Sequence, residues 1–290
     1  MPIKSSIAKT KWMNRALATI GMFVLFLFLP FSLLPSSAQS ADYLTVSGCS
    51  ISNVGYLTEL AKEYERRTGV KVFVRGGGSM VGIEDLRNGK VDLAAACRSR
   101  NSGDPQDISF VQVAWDALVF IVHKSNPLED ISLDEVRSIY AGRITNWQQL
   151  RGGDAPIKIF ISRTKSGLSG VEASTNKMVL QGREPVESPH TSFVASTAIV
   201  EQMVEDTAEA FATTGITSAR KRNVKMLKVN GVAPSNKTVI SRQYPLKRPL
   251  FLLVPKNPKG EVKKFVDFAL SKEGQRFISS LNVISLLDMK

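Results

Sequence analysis

Residues Val74 to Arg100 read VRGGGSMVGIEDLRNGKVDLAAACRSR. The stretch leaves a β-branched strand, crosses three consecutive glycines, enters the short helical pattern GIEDLRNG and returns as the apolar strand VDLAAA. A glycine-rich loop opening a helix is suited to hold an anion, because helix starts present unpaired N–H groups and a partial positive charge. The loop is not a nucleotide fingerprint. GGGSMVG does not keep G-x-G-x-x-G and follows the second strand rather than the first, and no G-K-[ST] closes it.

Working outward, DYLTVSGC alternates and ends at Gly48, which predicts a first strand. Leu57, Leu60, Ala61 and Tyr64 share one helical face, with Glu59, Lys62, Glu63 and Arg66 outside, and Gly69 closes the helix before VKVFV. Strand, helix, strand, helix, strand predicts a parallel α/β unit. Downstream, WDALVFIVHKSNP, KIFISR, FATTGIT and RPLFLLV read as further strands. Ser132 with Glu135 is a capping-box signal, and Val262, Phe265, Val266 and Ala269 mark a last amphipathic helix. With no internal repeat and no long linker, two α/β lobes joined by extended crossovers fit better than one doubly wound sheet.

Residues 1–40 carry Lys4, Lys9, Lys11 and Arg15, then LATIGMFVLFLFLPFSLL, then the small residues of PSSAQSA, which is the layout of a cleavable signal peptide. Setting aside those four basic residues lowers a net +12 to +8, an excess that suits an anionic ligand or surface. The charge is not gathered into an aromatic-interleaved patch, so nucleic acid is not expected as a partner. Two cysteines, Cys49 and Cys97, and two histidines, His123 and His190, lack metal-site spacing, and G-x-S-x-G does not occur. Neither a metal, another cofactor nor catalysis is expected.

Three loops rich in hydroxyls or glycine each follow a strand and precede a helix: Ser47 to Ser52, Arg75 to Gly82, and Ser162 to Gly170. Hydroxyls can donate to an oxyanion, and Arg163 can add a forked, charge-assisted contact. Asp116, in VAWDALVF, is read either as an acceptor for a protonated oxyanion or as a salt-bridging residue at a hinge.

The segments VSGCSIS, ELAKEYERRTGVKV, GGGSMVGIEDLRNGKVDLAAACR, DEVRSIYAGRITNWQQLRGGDAPIKIFISR and YPLKRPLFLLV resemble, in order, the periplasmic phosphate-binding proteins of ABC-type uptake systems. GRITNW is the most specific short piece, with KVNGVAP…YPLKRPL a second. The resemblance implies a two-lobed type II periplasmic binding protein fold, with a mixed, mainly parallel sheet in each lobe and a ligand cleft between them. It further implies lobe one at 41–118, lobe two at 119–248 and a return to lobe one at 249–290, with crossovers near Asp116 to Val122 and Arg248 to Val254 acting as the hinge.

Carried over by position, it points to Cys49, Ser50, Ile51, Ser79, Cys97, Asp116, Arg163, Gly167 and Ser169 as ligand-binding residues, with Arg163 as the main fixed charge. Cys49 falls in a segment normally rich in Ser and Thr, and Cys97 where Ser or Asp is usual. Ser166-Gly167-Leu168-Ser169 stands where Gly-Ser-Gly-Thr is usual. Within that fold the two cysteines end neighbouring strands, which makes a Cys49–Cys97 disulfide a candidate. The implied function is a monomeric periplasmic protein that captures phosphate or a related oxyanion and delivers it to an ABC transporter permease. Alternatives are an exported anion-binding signalling or adhesion protein and, less favoured, a phosphatase-like enzyme.

Overall fold

In the computed structural model, which describes residues 43–164 and 167–289, the alternating residues Tyr43–Gly48 form β1 with Leu44 and Val46 inside. The expected leader lies outside the described residues, as do Lys165 and Ser166 of the third loop. Helix α1 runs through Ser50–Ser52, a π-helical turn at Asn53–Leu57, and Thr58–Thr68. Its amphipathic pattern begins only at Leu57 because the first two turns, including Ser50, Ser52 and Tyr56, are buried and have almost no solvent face to mark. Gly69 ends the helix at φ 76°, a left-handed value glycine adopts without strain.

Strand β2 (Lys71–Gly76), helix α2 (Ser79–Arg87) and strand β3 (Leu93–Ala96) complete the first unit, in which β2, β1 and β3 lie parallel in that order. Asp92 ties this sheet down by accepting from Thr45 N and Oγ1 at 2.7 and 2.8 Å. Strand β4 (Ile108–His123) is 16 residues long and begins well before the apolar run at Ala117. Its first half is only half-buried, so its hydrophobic signal is diluted.

The second unit holds α3 (Leu133–Tyr140), β5 (Lys158–Thr164), α4 (Gly170–Thr175, passing into a π turn at Asn176–Leu180), β6 (Thr191–Val194), α5 (Thr197–Asp206), β7 (Ala210–Gly215) and β8 (Val224–Met226). The capping box at α3 forms: Glu135 N donates to Ser132 Oγ, and Ser132 N to Glu135 Oε2. The chain returns on β9 (Lys247–Pro255), then α6 (Gly260–Leu270), α7 (Lys272–Ser280) and β10 (Ile284–Ser285).

Strand β4 threads both lobes. Residues 108–117 pair antiparallel with β9, which also pairs with β3, while residues 118–122 pair antiparallel with β7, beside which β5 and β6 run parallel. The fold is therefore two-lobed, with a mixed sheet in each lobe, and the lobes share a strand at Ala117 and Leu118.

Candidate functional site

Asp116 and Arg248 are register partners on β4 and β9, one residue before β4 changes lobes, so their side chains leave the sheet together. Arg248 Nε and Nη2 donate to Asp116 Oδ2 at 2.9 and 2.7 Å, and Asp116 Oδ1 accepts Thr217 N–H at 3.0 Å. Neither residue is more than 2% exposed. Arg248 Nη1 reaches both lobes, donating to Cys97 O at 3.2 Å and to Gly170 O at 3.5 Å. Asp116 is thus engaged at both oxygens. Of its two expected roles, the structure shows the salt bridge, because a desolvated guanidinium stands directly opposite it.

The lobe-one wall is drawn together by backbone contacts. At Gly48, φ 132°, a Cβ would stand 2.3 Å from Ala95 O, so glycine is required for β1 to end against β3. Cys49 N donates to Ala95 O, and Gly78 N to Gly48 O, each at 2.9 Å. Cys97 N then donates to Ser79 Oγ at 3.2 Å, and Cys97 Sγ lies 3.8 Å from the same oxygen. Ser50 faces Gly76, and Ile51 packs on Gly215 of lobe two. Cys49, Ser79 and Cys97 are therefore gathered at one point, facing the start of α4.

Lobe two closes on that point through Gly170, where a Cβ would fall 2.3 Å from Ser79 Oγ and 2.6 Å from Cys97 Sγ. Ser174 Oγ donates to Cys97 O at 3.2 Å across the same boundary. Ser169 caps α4, its Oγ accepting from Glu172 N at 3.2 Å. Among the described residues the Ser47 and Ser162 hydroxyls are buried without a hydrogen-bond partner, and the Ser52 hydroxyl and the Tyr56 phenol are buried facing each other. Such groups cost about 1–3 kcal/mol each when left unpaired, and they are donors that a small oxyanion could use. Burial, first, holds the ionisation of Tyr56 well above the ordinary range; a hydrogen bond with Ser52 opposes this, and the neighbouring Cys49, Cys97 and Asp116 add to it.

Arg163 stands elsewhere. Its guanidinium pairs with Glu187 at 3.2 Å and Glu184 at 3.3 Å, and lies 4.1 Å over the Phe193 ring. In this structure two exposed carboxylates and an aromatic face hold it on lobe two, partly exposed, while Arg248 is the buried guanidinium that bonds to Cys97 O and Gly170 O. Gly167 lies in a short ladder opposite Thr164. Sequence reasoning placed Arg248 only in the hinge and missed Tyr56, Gly170 and Gly215. A signal for Arg248 was present. Two opposite charges, in VAWDALVF and KRPLFLLV, each stand at the entrance to an apolar strand, where neither is tolerated without the other.

A model of the PBP superfamily domain matches residues 35–273. The chain belongs to the PBP superfamily. It is 28% identical to the phosphate-binding protein PstS of Bacillus subtilis, over 87% of this chain and 83% of that protein. It is also 28% identical to Protein SphX of Synechococcus elongatus, over 84% and 78%. Among solved structures, a substrate-binding protein from Clostridium perfringens with bound phosphate shares 26% identity and a TM-score of 0.74, covering 84% of this chain and all of that one.

In this PBP-superfamily chain a cleft of about 240 Å³ opens beside Arg248, lined also by Arg98, Ser174, Lys177 and Lys247 and by no carboxylate. Arg98 is satisfied by a two-point pair with Asp104, both bonds at 2.7 Å. Lys247 lies 4.4 Å over the Trp115 ring, and partial burial holds its ammonium below the ordinary value. The rim is therefore basic, which favours entry of small anions.

Behind Ser169, burial pushes the carboxyl of Glu172 up to about 8, opposed by a hydrogen bond from Ser162 N and by Arg163 and Arg248. The folded state thus keeps a proton that the unfolded chain releases near its ordinary value of 4.5. Stability from this group is full below that value and is lost as pH rises to about 8. We expect urea unfolding to lose at least ~1 kcal/mol between these limits, and Glu172→Gln, which keeps the acceptor for Ser162 N, to flatten that slope. An unchanged slope in the variant would assign it to another group.

Proposed function

We propose that this chain is an extracytoplasmic solute receptor that captures a small oxyanion, with phosphate as the leading ligand, and presents it to an ABC transporter permease. The single observation that carries the reading is the convergence at the lobe boundary. There Arg248, Ser79, two thiols and partnerless buried hydroxyls meet the start of α4 behind a basic mouth. The PstS and SphX relatives, and the phosphate held by the Clostridium perfringens structure, support phosphate as the anion. Because Ser79, Cys97 and Arg248 are buried with the lobes in contact, an anion reaches them only if the lobes part and close again. Asp116, on the strand that crosses the boundary, and Arg248, at the start of the strand by which the chain returns to lobe one, are the natural pivot.

Isothermal titration of the exported chain with phosphate, sulfate and molybdate tests the reading. Saturable one-to-one binding of phosphate, at least about tenfold tighter than sulfate, is expected, since a site with hydroxyl and backbone partners discriminates by donor and acceptor count. Small-angle scattering should show compaction on saturation. Heat with none of the three anions would remove the oxyanion reading; tighter sulfate binding would remove phosphate alone.

A further inference from the structure

Cys49 and Cys97 occupy hydroxyl positions in the expected anion cup, and each follows the end of a strand in the parallel β1–β3 pair, where Gly48 is the register partner of Ala95. Cys49 and Cys97 lie one residue out of register across that pair, whose strands are about 4.8 Å apart, and their side chains are in contact, within reach of a disulfide. Both residues are free thiols in the structure and are buried. Gly170 of lobe two lies directly against Cys97 Sγ, and Ser174 and Arg248 hold the Cys97 carbonyl. With the lobes together no oxidant can approach either sulfur; with the lobes apart the wall carrying Ser79 and Cys97 is uncovered.

We propose that Cys49 and Cys97 form a redox-modifiable pair that is oxidised to an intramolecular disulfide when the cleft is open and is protected when it is closed. The oxidant is a disulfide-bonded small molecule or protein. The Cys97 thiolate attacks one sulfur of that disulfide, breaking its S–S bond and expelling one thiolate. The Cys49 thiol then loses its proton to solvent and attacks the mixed bond at Cys97, expelling the second. One disulfide is reduced to two thiols, and two protein thiols become one disulfide. Cys97 is the attacking group on geometry: its sulfur lies 3.8 Å from Ser79 Oγ and its carbonyl is held by the Arg248 guanidinium, on the wall that lobe opening uncovers. Burial opposes its ionisation, but contact with the Cys49 thiol and the Arg248 guanidinium bring it down to about 7, whereas burial and Cys97 push Cys49 up. Oxidation removes the Cys49 S–H donor from the cup and ties the two sulfurs to each other, so the oxidised form should bind phosphate about tenfold more weakly. That consequence rests on the oxyanion reading; the thiol chemistry does not.

The test equilibrates the exported chain with graded mixtures of oxidised and reduced glutathione, with and without saturating phosphate, and counts free thiols by mass after alkylation. Loss of both thiols together as an internal disulfide, slowed by phosphate, is expected. The Cys49→Ser variant should instead trap one glutathione on Cys97. Two independent mixed disulfides in the wild type, or thiols that persist in fully oxidised buffer, would overturn the proposal. A chain that forms the internal disulfide yet binds no phosphate even when reduced retires the oxyanion reading and leaves the redox pair standing.

Discussion

Arg248→Ala is expected to destabilise the fold by about 3–5 kcal/mol in urea unfolding, because it strands Asp116 as an uncompensated buried carboxylate. Asp116 would keep only Thr217 N–H as a described partner, and Cys97 O and Gly170 O would lose the donor that joins them. Arg248→Lys should recover part of the loss, since a point charge cannot span one carboxylate and two carbonyls at once. The double change Arg248→Met with Asp116→Leu should restore most of the stability, because it removes the charge together with its partner. It should not restore anion binding. A single alanine variant that unfolds within ~1 kcal/mol of the parent would mean that the pair is hydrated in solution, and the hinge assignment would fall with it.

Gly170→Val is expected to weaken phosphate binding at least about a hundredfold while leaving the unfolding midpoint nearly unchanged. At Gly170 the added Cβ alone would fall within 2.6 Å of both Ser79 Oγ and Cys97 Sγ, atoms of the opposite lobe. Ser79 cannot swing aside without releasing Cys97 N, so the added branches hold the lobes apart rather than repacking one of them. If receptor closure is required for capture, the binding energy spent on closing is no longer recovered. Scattering should show the variant expanded with and without phosphate. Wild-type affinity in Gly170→Val would show that the anion is bound by one lobe, and the proposed site at the boundary would be lost.

Much of the fold was written locally. The alternation at Tyr43–Gly48, the apolar run within Lys247–Pro255, the apolar face of Leu57 to Tyr64, and the Ser132–Glu135 box each specify an element through contacts within a few residues. The glycine loop before Ser79 likewise marks a helix start that any chain with that spacing would form, and the family resemblance carried over position by position named Ser79 and Cys97 as parts of one site. What the linear order left open was which cation faces them. Arg163 follows a strand and precedes a serine-rich turn, so its local setting matches an anion ligand; Glu184, Glu187 and Phe193, some 20 to 30 residues later, claim it instead. Arg248 carries locally only the sign of a charge at the entrance to an apolar strand, and its partner is supplied by antiparallel register, which sets it against Asp116 across 132 residues of chain. Strand and helix identity follow from short-range periodicity, so the sequence by itself determined them. The choice between two arginines depends on desolvation and pairing among residues distant in the chain, and only the tertiary structure decided it.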